Sequence, residues 1–227
     1  MSNAISASDI VIVGAGSAGC TLAARLSEDP HLQVTLIEAG NPSQYAWLDI
    51  PIGYFKTVGN PAHDWQFETQ PEAGMSDRRL PWPRGKGLGG SSLINGMLYL
   101  RGHRLDYDGW AKLGNEGWSW DDVLPYFQRA MNTDRPLPGD GQGGPLWVSE
   151  LPHDELSDAF VAAAGRSGID PTADFNGGDN SGAGYFRMNT QQGQRMSTER
   201  AYLRQAMKRP NLHVISGAQV TQVLMQG

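Results

Sequence analysis

The residues with the clearest chemical potential in this sequence are glycines. Gly14-Ala15-Gly16-Ser17-Ala18-Gly19 has the spacing G-x-G-x-x-G. In that spacing the first glycine permits a tight turn, the second lets a pyrophosphate approach the backbone, and the third lets a helix pack closely on a strand. The N–H groups opening the helix then face the phosphates, so Gly14, Gly16, Ser17, Ala18 and Gly19 are candidate cofactor contacts. Glu38, followed by Ala39, stands about 20 residues beyond the last glycine, where a carboxylate accepts hydrogen bonds from an adenosine ribose. An acid there disfavours a 2′-phosphate, which makes NADP the least suited nucleotide. The bland alternative is a glycine-rich turn without a ligand and Glu38 as a strand-end charge.

A second cluster runs Arg84-Gly85-Lys86-Gly87-Leu88-Gly89-Gly90-Ser91-Ser92-Leu93-Ile94-Asn95. Its glycines let the backbone come close to something flat or anionic, and Ser91, Ser92 and Asn95 offer neutral hydrogen-bonding groups. An isoalloxazine needs this pairing, because its edge carries carbonyls and ring nitrogens while its faces need apolar contact. An ordinary glycine-rich loop remains the alternative on these residues alone.

The run Gly85 to Asn95, with Tyr99, Gly102 and Asp108 at their later spacings, resembles the first signature of glucose-methanol-choline (GMC) oxidoreductases. Glu38-Ala39-Gly40, Asp64-Trp65 with Phe67, the stretch Arg195 to Leu203 and Gln219-Val220-Thr221 extend the resemblance over almost the whole chain. It implies FAD as cofactor, with Arg84, Gly85, Gly89, Gly90, Ser92, Asn95, Gly96, Met97 and Leu98 among its contacts. Asn95-Gly96-Met97-Leu98 would lie near the flavin, and Gly90 and Ser92 nearer the pyrophosphate and ribityl chain. Trp65 would lie near the cofactor, although a plain core aromatic is an equal reading, and the backbone of Val220 would meet the adenine. Some members carry a histidine at the position of Ile94 and attach the flavin through it; Ile94 has no nucleophile, so non-covalent FAD is implied.

The resemblance also implies an enzyme that oxidises an alcohol CH–OH to a carbonyl by hydride transfer to flavin N5. The substrate would be a small alcohol of choline-like or aliphatic kind, and the electron acceptor oxygen or a quinone. Such chemistry needs a base for the hydroxyl proton, which a histidine near neutrality can supply. The family keeps that histidine near the carboxyl terminus of a chain more than twice this long. His31, His63, His103, His153 and His213 match no family catalytic position, so the base is expected beyond Gly227 and no catalytic residue is assigned. The sequence then reads as the amino-terminal part of such an enzyme, an arrangement that allows a second chain to carry the carboxyl-terminal half. Two alternatives are a stand-alone FAD-binding module serving a separate catalytic subunit and an NAD-dependent dehydrogenase. The latter leaves Gly85 to Asn95 without a role.

These residues need elements to position them. Ile10-Val11-Ile12-Val13 is a β-branched apolar run of the kind buried on both faces of a parallel sheet, and Val34-Thr35-Leu36-Ile37 is a second. Between them, Ala18, Leu22, Ala23 and Leu26 suggest a helix with one face on the sheet. Residues 41 to 70, broken by Pro42, Pro51 and Pro61, read as an extended excursion. Ser119 with Asp122 predicts a capped helix, and Asp154 to Ala164 another with Leu156, Phe160 and Ala164 on one face. Leu146-Trp147-Val148 and Tyr185 to Thr190 read as strands, Ser197 or Thr198 as the cap of a helix through Met207, and Leu212–Ile215 and Val220–Leu224 as strands. The expected fold is α/β, an FAD/NAD(P)-binding Rossmann-like domain with the beginning of an α+β substrate domain. The Gly/Pro-dense run 136–145 sets the boundaries: 5–145 FAD-binding, 146–208 substrate-facing, 209–227 returning to the FAD-binding domain.

Composition narrows the partners. A formal charge of -6 without a basic stretch gives no footprint for nucleic acid. No apolar run is long enough to span a bilayer, and Met1 to Asp9 lacks the pattern of a secretion signal, so a cytoplasmic protein is expected. Ser2-Asn3-Ala4 resembles a cloning scar. Cys20, the single cysteine, rules out an intrachain disulfide or a cysteine-clustered metal site and reads as a small buried hydrophobe; no metal is expected.

Overall fold

The computed structural model describes residues 7–225, so Ser2-Asn3-Ala4, the first residues of the expected 5–145 domain and Gly227 lie outside the described residues. The chain divides into two compact units, one of residues 1–96 with 193–227 and one of residues 97–192.

The first unit is built on a βαβ motif: strand β1 (Ile10–Val13), helix α1 (Ser17–Leu26) and strand β2 (Val34–Ile37). Strand β3 (Leu212–Ile215) returns to the other side of β2, giving a parallel sheet in the order β1-β2-β3 with Ile10 and Leu212 both opposite Val34. Of the three strands only β2 is buried over most of its length, from Val34 to Leu36, as its position between two partners requires. The expectation that β1 is covered on both faces does not hold: Val11 and Val13 are 55% and 58% exposed, because β1 is an edge strand with no described element on that face.

The packed face of helix α1 overlaps the expected one only in part, at Ala23. Gly19, Cys20, Ala23 and Ala24 are buried, while Ala18 and Leu22 face outward. The buried face carries the smallest side chains, which allows the close helix–strand approach that Gly19 sets. A β-carbon at Gly19 would overlap the carbonyl oxygen of Gly14. Asn211 fastens the far end of the motif, its amide donating to the carbonyls of Ser27, Asp29 and Leu32 at 2.9–3.2 Å.

The excursion 41–70 is less extended than expected, with short helical turns at Ala46–Leu48, Pro51–Gly53 and Tyr54–Thr57. The segment before Pro210 opens with a π-helical turn, Glu199–Leu203, and continues as an α-helix over Arg204–Ala206; Ser197 Oγ accepts from Arg200 N. Residues 220–224 form no strand, a correction to the expected reading: after Ala218 N donates to Glu38 O, the chain finds no further strand partner among the described residues.

The second unit holds helices α2 (Arg104–Lys112), α3 (Trp120–Ala130) and α4 (Glu155–Arg166). Ser119 caps α3 in a capping box with Asp122, as its spacing predicts. His103 and Asp106 form a second box at α2 that the sequence reading did not foresee. A small antiparallel sheet orders Leu98–Tyr99, Arg187–Met188 and Ser149–Glu150, over a core of Tyr99, Met131 and Val148. The expected apolar face of α4 is not buried: Leu156 and Phe160 are 82% and 72% exposed.

The junctions fall at 96/97 and 192/193 instead of the 145/146 and 208/209 expected from glycine and proline density. A buried charge network explains why 136–145 is no linker. Asp140 accepts from Arg187 Nη1 at 2.6 Å and from Arg101 Nη2 at 3.3 Å, all three side chains being enclosed. The loop is thereby tied into the second unit.

Candidate functional site

The two glycine loops of the first unit interlock. Gly89 N donates to the carbonyl of Ala15 at 2.7 Å, and a β-carbon on Gly90 would lie 2.6 Å from Gly16 Cα. At Gly40 a β-carbon would overlap the backbone nitrogen of Gly87. The second loop can close on the first only because both are bare of side chains where they touch.

Glu38 binds the same two loops electrostatically. Its Oε2 accepts from Ala15 N at 2.8 Å, and its Oε1 from Gly40 N at 2.8 Å and Gly87 N at 3.1 Å. The carboxylate is buried and accepts from three backbone donors. Asp64 does similar work one layer out, accepting from Gln66 N, Arg84 N and Gly59 N at 2.7–3.0 Å. Burial pushes its carboxyl up, but these three donors prevail and hold it below the usual carboxylate range. Trp65 N donates to Arg84 O, so the strand carrying Trp65 is laced to the one entering the second glycine loop.

Over this interlock lies an open cleft of about 480 Å³. Gly14, Gly16, Ser17, Glu38, Ala39, Trp65, Arg84, Gly85, Gly90 and Val220 line it, ten of the residues the sequence reading singled out. Nothing lies within 4 Å of where β-carbons on Gly14 and Gly16 would be, so backbone is presented bare to the cleft. The N-terminus of α1 opens beside it, with Gly16 as an N-cap that makes no side-chain capping bond, so its first N–H groups remain available to an anion. Trp65 is stacked on Phe67, 5.8 Å away and nearly parallel, and the Lys86 ammonium lies 4.7 Å from its ring centroid. Phe67, Ser91, Ala218 and Gln219 also line the cleft. The last two are brought there by Gly217 N and Ala218 N donating to Gly40 O and Glu38 O, a pairing with no local sequence signal.

The remaining expected residues are elsewhere. Ala18, although on the first turn of α1, and Gly19, packed under the loop, do not line the cleft. Ser92 turns inward: its Oγ donates to Gly89 O at 2.6 Å and accepts from Thr198 N at 3.0 Å, bracing the loop from behind together with buried Gly89. Asn95 and Gly96 are exposed at the end of the loop, Asn95 held by Arg195. Met97 and Leu98 belong to the second unit, Met97 buried and Leu98 paired with Met188. Ile94 is packed with Leu48 and Leu93.

No histidine stands at the cleft. His63 is buried and stacked on Tyr45, with burial pushing its imidazole below its ordinary pKa, and His103 caps α2. Cys20 is fully enclosed, its thiol donating to Ala15 O at 3.2 Å. The described residues contain no group of three or more His, Cys, Asp or Glu able to hold a metal ion, and no helix among them is long and apolar enough to cross a membrane. A larger cavity of about 740 Å³ in the second unit is lined by Phe186, Tyr185 and Val161 among others.

The sequence model of the GMC oxidoreductase family matches residues 8–227. The oxygen-dependent choline dehydrogenase of Photobacterium profundum is 44% identical over 222 residues, 96% of this chain and 39% of that protein. The alcohol dehydrogenase (acceptor) of Pseudomonas putida is 41% identical over 221 residues, 96% and 40% respectively. Among solved structures, pyridoxine 4-oxidase from Mesorbium loti superposes with a TM-score of 0.91 at 36% identity, covering 97% of this chain and 44% of that one. An FAD-dependent oxidoreductase from Chaetomium thermophilum gives 0.83 at 30% identity, with 92% and 38% covered. The chain thus spans about two-fifths of the length of the curated relatives it matches.

Proposed function

Because this chain belongs to the GMC oxidoreductase family, whose members are FAD-binding flavoproteins, we propose that its first unit holds FAD non-covalently for the oxidation of an alcohol to a carbonyl compound. The observation that carries this reading is the interlock itself. Two glycine loops and one buried carboxylate support an open cleft that presents bare backbone at Gly14 and Gly16 beside an uncapped helix N-terminus.

In this reading the α1 N-terminus receives the pyrophosphate, and Arg84, the one arginine or lysine lining the cleft, contributes charge. Glu38 sets the loops and offers its remaining lone pairs to the adenosine ribose. Trp65 walls the cleft, and Val220 contributes backbone to the adenine end. Asn95 and Gly96, at the end of the second glycine loop, serve the flavin end. Packed Ile94 provides no atom to bond the ring covalently. FAD, when bound, supplies the hydride acceptor for an alcohol C–H. No residue of this chain is assigned as the base that takes the hydroxyl proton.

The names of the relatives favour choline or another alcohol as substrate, and oxygen or another electron acceptor. A second reading, an FAD-binding module that works with a separate catalytic subunit, is favoured by a cleft lined without a histidine. An NAD-dependent dehydrogenase is not, since it leaves the second glycine loop without work.

The test is an absorption spectrum of the purified full chain, followed by heat denaturation and chromatography of any nucleotide released. A flavin spectrum with free FAD in the supernatant is expected. A colourless protein that takes up no added FAD overturns the reading.

A further inference from the structure

Arg195 heads the largest fully buried side chains, at 1% exposure. Its Nη1 donates to the carbonyl of Asn95 at 2.7 Å, to Asn95 Oδ1 at 2.9 Å and to the carbonyl of Ser92 at 3.2 Å. The guanidinium therefore fixes both ends of the turn that closes the second glycine loop. Its other two nitrogens, Nε and Nη2, are buried without any hydrogen-bond partner. Arg195 takes part in none of the ion pairs among the described residues, and Asp49 acts on its charge only through space.

A turn that needed only hydrogen bonds would be served by a neutral amide. Burying a cation without a paired carboxylate is expensive, and buried donors left unmade add to the cost. Arg101 and Arg187, also buried, share the carboxylate of Asp140; Arg195 has no such partner. Burial pushes its guanidinium down to about 10, which leaves it charged at neutral pH. An enclosed positive charge, solvated mainly by the carbonyl dipoles of Ser92 and Asn95, is the feature to be explained.

We propose that Arg195 is a positioning residue of the cofactor site that fixes the Ser92–Asn95 turn, which the FAD reading assigns to the flavin end, and keeps behind that turn a positive charge without an ion-pair partner. This rests on the FAD reading above. FAD bound there would take up a hydride, two electrons and one proton from the alcohol C–H, and would so gain one net negative charge. Arg195 stabilises that charge without itself transferring a proton, in the manner of a fixed charge in a site of low dielectric.

The test is the midpoint potential of FAD bound to the full chain, titrated with dithionite against a reference dye in the wild type and in Arg195→Met and Arg195→Lys. Arg195→Met is expected to shift the potential negative by at least about 30 mV, a tenfold change in a two-electron equilibrium, and Arg195→Lys to recover most of the shift. A merely structural arginine would lower stability and leave the potential in place. Should Arg195→Met not fold, Arg195→Gln, which keeps a donor toward Asn95 and Ser92 without the charge, carries the same measurement. A wild-type potential in either neutral variant overturns the proposal. A wild type that binds no flavin overturns the FAD reading on which it rests, and is told apart by its colourless spectrum.

Discussion

Gly90 lies against Gly16: a β-carbon on the former would sit 2.6 Å from the α-carbon of the latter, with Gly90 itself in the left-handed region at φ +52°. Residues more than seventy positions apart thus form one surface. The G-x-G-x-x-G turn and the second glycine run are two halves of a single seat.

Gly90→Ala should therefore break the seat twice, by overlap and by backbone strain. Overpacking costs about 1–3 kcal/mol and a left-handed alanine about 1–2 more. If the seat binds FAD, affinity should fall roughly tenfold to a hundredfold, each 1.4 kcal/mol being tenfold. Gly109→Ala is the control: it lies within α2, with nothing within 4 Å of the added carbon, and should be neutral or stabilise by about 0.4–1 kcal/mol. Titration of flavin fluorescence against each variant reads the difference. Equal affinities in the two would remove the interlock from the account.

Glu38→Gln keeps the shape of the side chain and converts one acceptor oxygen into a donor facing backbone N–H groups that already donate. Ala15 N, Gly40 N and Gly87 N cannot all be satisfied by an amide. The loss should be about 1–3 kcal/mol of stability, the cost of a buried donor left unmade, with weaker nucleotide binding besides. Urea denaturation without added nucleotide separates the two effects. A variant of unchanged stability but weaker FAD binding would return Glu38 to a purely ligand-reading role.

Asp140→Asn should destabilise the second unit severely. The carboxylate lies between Arg101 and Arg187, and removing its charge leaves two enclosed guanidinium groups without compensation. Breaking a buried ion pair on one side costs roughly 3–5 kcal/mol. Hydrogen exchange should show faster amides around Val148 and Asn189, whose bonds to Asn132 and Met97 lie in that unit, while the β2 amides keep their protection. Unchanged exchange at Val148 would mean that the network is not what holds the loop.

What the sequence revealed and what it concealed divide along physical lines. The βαβ motif and Gly14, Gly16, Ser17 and Glu38 at the cleft were legible because local spacing dictates them, a glycine turn between apolar runs and an acid at the second strand's end; Trp65, Arg84 and Val220 entered only through the family resemblance. The packed face of α1 was read in part: Ala23 is buried as expected, but hydrophobicity also pointed to Leu22, whereas close approach selects the smallest residues, Gly19, Cys20, Ala23 and Ala24. Glycine and proline marked a boundary at 145, but they signal a turn whether or not a buried aspartate anchors it, and the compact units divide elsewhere. The contacts of Glu38 with Gly87 and of Arg195 with Asn95 join residues far apart in the chain, and no periodicity announces such a pair. Residues 220–224 look like a strand by composition, but a strand needs a neighbour, and composition does not supply one.

Cys20 yields a prediction about pH. Burial pushes its thiol from 9.0 up to about 11, against the opposing effect of hydrogen bonds involving Thr198 and Gly89. The folded state thus favours the neutral thiol. Below about pH 9 both states hold the proton and the stabilisation is fully present; between about 9 and 11 the unfolded chain loses its proton while the folded chain keeps it, so stability falls as pH rises. The loss proceeds at up to roughly 1.4 kcal/mol per pH unit. Other groups titrate in the same range, so the informative quantity is the difference between the wild type and Cys20→Ala, which should narrow across that window and be flat below it. In the native protein at about pH 8 the thiol should also resist alkylation by N-ethylmaleimide and react once urea unfolds the chain, since the thiolate is the nucleophile. Native labelling at the rate of a free thiol, or a stability difference independent of pH up to 11, would place Cys20 in contact with solvent and contradict the packing of α1 on the first glycine loop.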